Sequence, residues 1–376
     1  MRRVGFADLI LHGGKAPPWL VSRMERMAGA LLVTIADEYG PSEVLARISD
    51  PVWFQALSCA LGYDWDSSGT TTVVCGVLKT ALDRLDLDVK ACGGKGRRSR
   101  DALSELTVVG RRLSLGEEDI SRLQYASRIS AKVDNAAIQA GYTLYHHTIF
   151  VTSDAEWAVV QQGMSPECGL ARRYHWLSSG LKSLVVEPHQ GIVGDRVHPD
   201  VLDMTATQSE ACRRTSAALC NESPTRLQRL YQSIRVSPQE SLLRWTETAA
   251  TTPEYVTRYA IKPRGMSWEA LKRLYEFQPR GYEEVLAQEG IGPATVRGLA
   301  LISELVYGDR PSWQDPVKYS FAFGGKDGVP FPVRRREYDQ AIAYLETAVE
   351  SSRIGEKDRL NALKRLRAYA KRLGTA

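Results

Sequence analysis

The 376-residue chain is long enough for two or three domains with complete cores, and 43% apolar with 25% charged residues is an ordinary globular composition. Extensive disorder and a membrane-spanning helix are excluded on these grounds, since no run of about 18 apolar residues occurs. The net charge of +5 equals the excess within residues 333–376, where 11 Lys/Arg face 6 Asp/Glu. A second basic cluster, CGGKGRRSR, occupies residues 92–100, and basic patches of this kind suit phosphate backbones.

The opening MRRVGFADLILHGG breaks its short apolar patch at His12, so no secretion signal is expected and the expected location is cytoplasmic. Residues 1–40 read as a turn-rich loop, GGKAPPWL, followed by a helix over VSRMERMAGALLVTIADEYG. Helices continue through PSEVLARISDPVWFQALSCALG and VVCGVLKTALDRL. Residues 90–100 read as a loop rich in glycine and arginine, and residues 114–139 as helix again.

The texture then changes. TLYHHTIFVT (143–152) and EWAVVQQGM (156–164) are β-rich and joined by Ser153-Asp154-Ala155, which suits a hairpin, and KSLVVEP (182–188) is a third candidate strand. From residue 224 helical patterns return in PTRLQRLYQSIRV, PQESLLRWTETA, SWEALKRLYEF and the two final segments. DPVKYSFAFGGKDGVPFPV between them is irregular. The expected fold is α+β and mainly helical, with a small antiparallel sheet in the middle. Texture divides it into a helical region 1–140, a β-containing region 141–223 that holds the candidate active site, and a helical region 224–376.

Six cysteines, at 59, 75, 92, 168, 212 and 220, form no CxxC pair and no Cys/His cluster. A structural zinc site or disulfide framework is therefore not expected, and the thiols should be buried. No cofactor is expected, with a divalent metal as the alternative.

The stretch YEEVLAQEGIGPATVRGLAL (282–301) brackets Ile291 with Gly290 and Gly292 between two helical runs. Glycines permit a tight turn whose amides can approach another backbone, and Pro293 falls where a helix tolerates its missing N–H. Thr295, Val296 and Leu299 fall on the inward side of the second helix. The stretch resembles the helix-hairpin-helix DNA-binding family, which implies phosphate contacts from Gly290, Ile291, Gly292, Ala294 and Thr295 without base reading. Base-excision glycosylases with a similar hairpin often carry a lysine two residues after the second glycine, and an aspartate about twenty after it. Here Ala294 takes the lysine's place, and Asp309 and Asp315 follow at 17 and 23 residues, so the resemblance places no lyase lysine on the hairpin.

Chemistry is therefore expected upstream, where Lys132, Asp134, His146, His147, Gln161 and Gln162 are candidate catalytic residues. Arg128 and Lys132 share a helix face at i, i+4, with Asp134 on another side. His146 and His147 must face opposite sides of a strand, so one can reach solvent while the other packs inward. Gln161 and Gln162 suit base-edge contacts, and Tyr145 can stack on a flipped base. The run ARRYHW offers Arg172 and Arg173, and FGGKDG offers Lys326, as further phosphate contacts. The plainer reading is a set of hydrogen-bonded core residues and a packed arginine surface.

Two chemistries fit: attack by a lysine amine on a sugar carbon, or water activated by histidine and carboxylate. The expected function is a repair enzyme acting on damaged or mismatched DNA, a glycosylase with possible lyase activity through Lys132. A structure-dependent nuclease, a non-catalytic DNA-binding protein and an RNA-directed enzyme are the alternatives. The blocks GFADLILHGGKAPPWL, YASRISAKVDNAAIQAGYTLYHH, WAVVQQGM, ARRYHW and FGGKDGVPFPV together resemble, in order and over nearly the whole chain, a prokaryotic domain-of-unknown-function family common in archaea. That resemblance transfers no catalytic assignment.

Overall fold

The computed structural model describes residues 17–63, 69–166, 169–194, 197–234, 265–318, 335–352 and 354–374. The N-terminal helices are α1 (Pro18–Tyr39), α2 (Pro41–Ser49), α3 (Pro51–Leu61) and α4 (Gly69–Arg84). The helical stretch expected over residues 41–62 divides at Asp50-Pro51. Asp50 Oδ1 accepts from the amides of Val52 (2.7 Å) and Trp53 (3.2 Å), capping α3 just where Pro51 supplies no N–H.

Strand β1 (Val89–Lys95) leads into α5 (Arg98–Arg112) and α6 (Glu117–Lys132). Helix α6 runs on into one π-helical turn, Val133–Ala137, and the short β2 (Ile138–Gln139). Then come β3 (Thr143–Thr152), β4 (Trp157–Ser165), β5 (Leu170–Leu177), β6 (His189–Val193) and β7 (Leu202–Asp203). The remaining helices are α7 (Glu210–Cys220), α8 (Pro224–Ser233), α9 (Trp268–Phe277), α10 (Tyr282–Ala287), α11 (Pro293–Tyr307), α12 (Arg335–Ser351) and α13 (Glu356–Gly374).

Five strands form one antiparallel sheet in the order β1-β3-β4-β5-β6, while β2 and β7 pair separately. Because side chains alternate along a strand, the sheet presents two apolar faces. Phe150, Ala158, Val160, Ala171 and Val193 join a core with α1–α4, α12 and α13. Ile149, Val151, Trp157, Val159, Tyr174, Trp176 and Ile192 join a second core with α5–α11. Covering both faces buries strands β3, β4 and β5 almost completely.

The chain is α+β and mainly helical with a central antiparallel sheet, and the β3–β4 hairpin forms as its sequence predicts. Several local expectations are corrected. Residues 89–95 are an edge strand, and the loop begins only at Gly96. Two glycines hide that strand from a propensity argument, yet Gly93 is required: a Cβ there would lie 2.3 Å from the His147 carbonyl oxygen. KSLVVEP forms no strand, because the amides of Val185 and Val186 donate to Ser183 Oγ (3.2 and 3.1 Å) and Glu187 has φ of 43°. ARRYHW, read as a phosphate-binding surface, forms most of the inner strand β5 instead.

The expected boundaries at 140 and 223 both fall inside the second core, which runs from Cys92 to Val317. The basic C-terminal helices pack on α1 and α3, across the sheet from α10 and α11. PQESLLRWTETA, most of the aromatic and glycine-rich segment and Lys326 lie outside the described residues. Among the described residues, no helix is long and apolar enough to cross a membrane. The five described cysteines are free and buried; burial pushes the Cys75 and Cys92 thiols up to about 12, and Cys168 lies outside the described residues.

Candidate functional site

Helices α10 and α11 are joined by residues 288–292. Gly290 has φ of 85°, and a Cβ there would sit 3.1 Å from both Ala270 Cβ and an Arg273 nitrogen, so glycine is required. Ile291 plugs the core, as do Thr295, Val296 and Leu299 on the inward side of α11. Gly292 differs: its φ of −129° suits any residue, and among the described residues no atom beyond its chain neighbours lies within 4 Å of where a Cβ would stand. Among the described residues nothing explains this second glycine, which leaves open space at the start of α11.

The carbonyls of the turn are held by cations. Lys132 Nζ donates to the Ile291 oxygen (2.7 Å) and the Gln288 oxygen (3.3 Å), and Arg273 donates to the Glu289 oxygen (3.0 Å). A trans peptide points its C=O and the following N–H in opposite directions, and no cis bond occurs among the described residues. The N–H groups of Glu289, Gly290 and Gly292 therefore point away from those two cations. Gln139 adds a bond from Nε2 to the Pro293 oxygen at 2.9 Å.

Between this turn and the end of α6 lies an open cleft of about 750 Å³. Its polar lining includes Tyr125, Arg128, Lys132, Asn135 and Thr143 as well as the turn. Lys132 is half-buried, and burial lowers its ammonium from the usual range, with Glu289 opposing. Tyr125 donates to Glu283 Oε1 at 2.8 Å, and burial followed by that bond pushes its phenol up. Arg128 is exposed. A second cleft, of about 600 Å³, opens beside α1 and α4, with Glu25, Asp37 and Glu38 facing Arg26 and Arg84.

Beneath the π-helical turn, Asp134 is fully buried in a polar network. Its Oδ2 accepts from Gln161 Nε2 (2.6 Å) and Trp176 Nε1 (3.0 Å), and its Oδ1 meets His189 Nε2 at 2.5 Å. Gln161 uses its amide to donate, so its oxygen at 2.9 Å must accept from His147 Nδ1. Neutral His147 then accepts at Nε2 from Ser127 Oγ, 2.8 Å away. Burial keeps His147 below its ordinary value and pushes Asp134 up, against the lowering effect of His189 and Trp176. π-Turns of this kind often mark functional positions. This one ties Asp134 to the core while leaving Lys132 and Asn135 in the cleft.

His146 does face the opposite side of the sheet from His147, but both are buried, so neither reaches solvent. His146 and Gln162 stand in a cross-strand row with Lys95 and Arg173. Gln162 donates to the Tyr145 hydroxyl, and His146 Nε2 contacts Thr148 Oγ1 at 3.0 Å. Burial, His147 and Lys95 lower His146 to about 3. Gln161 and Gln162 are fully buried and offer no base-reading edge at the surface.

The reading of Arg172 and Arg173 as surface phosphate contacts is corrected by their complete burial. Arg172 pairs with Asp315 at 2.7 Å beside the Tyr142 ring, and Arg173 donates to His175 (2.8 Å) and Gln55 (3.2 Å). Asp315 is thereby a structural anchor. Asp309 accepts from Thr215 at the far end of α11, about 22 Å from the turn at 1.5 Å per residue. Only Lys132, of the six candidate catalytic residues, lines the cleft. Tyr125 joins it and Arg273 braces the turn, both without local sequence signals, and Ser127 and His189 complete the buried network.

Fold and site together define a class: a central antiparallel sheet between two helical layers, one of which presents a glycine turn and a cationic cleft. The chain belongs to the family described as protein of unknown function (DUF763), whose model matches residues 5–333. No curated protein and no solved structure matches it.

Proposed function

We propose that this protein binds DNA through the Gly290–Gly292 turn and acts on damaged or mismatched positions held in the adjoining cleft. The carrying observation is the turn's polarity: three carbonyls are tied back by Lys132 and Arg273, beside the open space at Gly292. Outward amides at the start of a 15-residue helix form an anion site that suits a phosphate. On this reading the turn has a helix-hairpin-helix role, supplying affinity and leaving sequence unread.

A second reading adds chemistry, favoured by Lys132 standing in the cleft 2.7 Å from the turn. Its position replaces the lysine absent at Ala294. Burial favours the neutral amine, which is the nucleophilic form. The amine would add to the C1′ aldehyde of an abasic sugar, lose water to form a Schiff base, and promote loss of the 3′ phosphate after removal of a C2′ proton. Asp134, His147 and Gln161 then act as positioning residues through the π-turn.

The test combines fluorescence anisotropy on duplex DNA over a salt series with borohydride trapping on abasic DNA. Salt-sensitive binding and a trapped adduct that K132R abolishes support the two readings respectively. Binding without an adduct on abasic, deaminated, oxidised or mismatched DNA sinks the lysine chemistry alone. Breakage that appears only with added divalent metal makes the protein a nuclease, and absence of salt-sensitive binding overturns the whole proposal.

A further inference from the structure

A cationic loop outside the cleft is unused by the function above. Lys95, Arg97, Arg98 and Arg100 are all exposed, with Asp101 as the acid in the same turn of α5. No ion pair engages any of these four cations among the described residues, in contrast to the paired arginines at positions 84, 111, 122 and 273. Four unpaired like charges cost stability through repulsion unless a polyanion neutralises them.

The loop is tied to β3 and closed on itself. Gly96 N–H donates to the Tyr145 oxygen at 2.7 Å, Ser99 closes back on the Gly96 oxygen through Oγ (2.6 Å), and Arg98 packs its stem over Gly94. Tyr145 is followed inward by Leu144 and Thr143, both lining the cleft, and the Leu144 amide reaches Asn135 Oδ1 at 3.4 Å. Lys132, three residues before Asn135, ends at the glycine turn. This path of backbone and side chains, on the order of 15–20 Å long by their reach, links the arginine loop, next to cleft residue Leu144 through Tyr145, to the turn across the cleft.

We infer that the loop of Lys95, Arg97, Arg98 and Arg100 grips the second strand of a duplex whose first strand lies on the Gly290–Gly292 turn. This rests on the DNA-binding reading and specifies its substrate as double-stranded. The span crosses one groove of B-form DNA, whose openings are about 6 and 12 Å wide. A single strand is the poorer fit. Non-specific single-strand sites use exposed aromatic platforms, whereas the ring on this path, Tyr145, has Lys95 over it at 5.9 Å.

The test substitutes R97Q, R98Q and R100Q together in the full chain and measures binding to a 20-base-pair duplex and to a single strand of equal length, over a salt series. The expected slope of log affinity against log salt falls by about 2 to 3 for the duplex, with at least a tenfold loss of affinity. Single-strand binding is expected to change less than threefold, and R112Q, at the far end of α5, leaves both unchanged. An unaltered duplex slope alongside intact wild-type binding overturns the second-strand assignment and leaves the turn reading standing. Equal losses on both substrates also overturn it, and wild-type protein that binds no nucleic acid overturns both.

Discussion

Asp134 carries the sharpest stability prediction, because its partners fix what each substitution leaves behind. Trp176 Nε1 can only donate, Gln161 presents its amide, and His189 completes the set. Replacing Asp134 by alanine strands up to three buried donors at about 1–3 kcal/mol each. Partial relaxation brings the expected loss to about 4 kcal/mol, within the range for breaking a buried ion pair. Asparagine behaves differently: its oxygen can take the place of Oδ2, and its amide can donate to the His189 Nε2 lone pair in the other tautomer. Every bond is then kept and only charge assistance is lost, so D134N should cost about 1 kcal/mol. By thermal unfolding, D134A should melt about 8 °C lower and D134N about 2 °C lower, taking roughly 2 °C per kcal/mol for a chain of this size. Equal losses in both variants would refute the hydrogen-bond account and point to charge as the determinant.

Three further outcomes follow from the same structure. D315A leaves Arg172 charged and buried, so it should cost about 3–5 kcal/mol in urea unfolding, whereas the double change R172M/D315L should recover most of that. His146 titrates near 3 in the fold against an ordinary 6.5. A depressed value contributes stability that is present above pH 6.5 and lost as pH falls toward 3, by up to about 1.4 kcal/mol per unit. H146Q should therefore flatten the pH dependence of melting temperature between pH 6 and 4. G290A should lower stability by about 1–2 kcal/mol, because a left-handed backbone and two 3.1 Å contacts both oppose a Cβ.

Elements with a clean period were legible in the sequence. The β3–β4 hairpin declares itself through two β-rich runs on either side of Ser153-Asp154-Ala155, and the inward face of α11 through the spacing of Thr295, Val296 and Leu299. β1 and β5 were not, since glycines in one and paired arginines in the other run against strand propensity; only cross-strand packing and Asp315, 143 residues away, make them suitable. The same limit governs the site. Lys132 could be singled out locally, but its bond to Ile291 spans 159 residues, and no local pattern encodes that. Charge counting gave most weight to the C-terminal helices, yet packing puts the smaller basic cluster at 92–100 against Tyr145, next in sequence to the cleft residue Leu144. His146, Gln161 and Gln162 are polar for the sake of buried networks, a role that sequence does not separate from catalysis.

Gly292 offers the most direct test of the central claim. Glycine there answers no steric demand of the fold, so G292A should unfold within about 0.5 kcal/mol of wild type, the range for a benign surface change. If a phosphate closes on the turn, the added methyl group should weaken duplex DNA binding at least tenfold, measured by anisotropy beside the melting curve. Unchanged affinity in a variant of unchanged stability would contradict the assignment of this turn as the DNA contact.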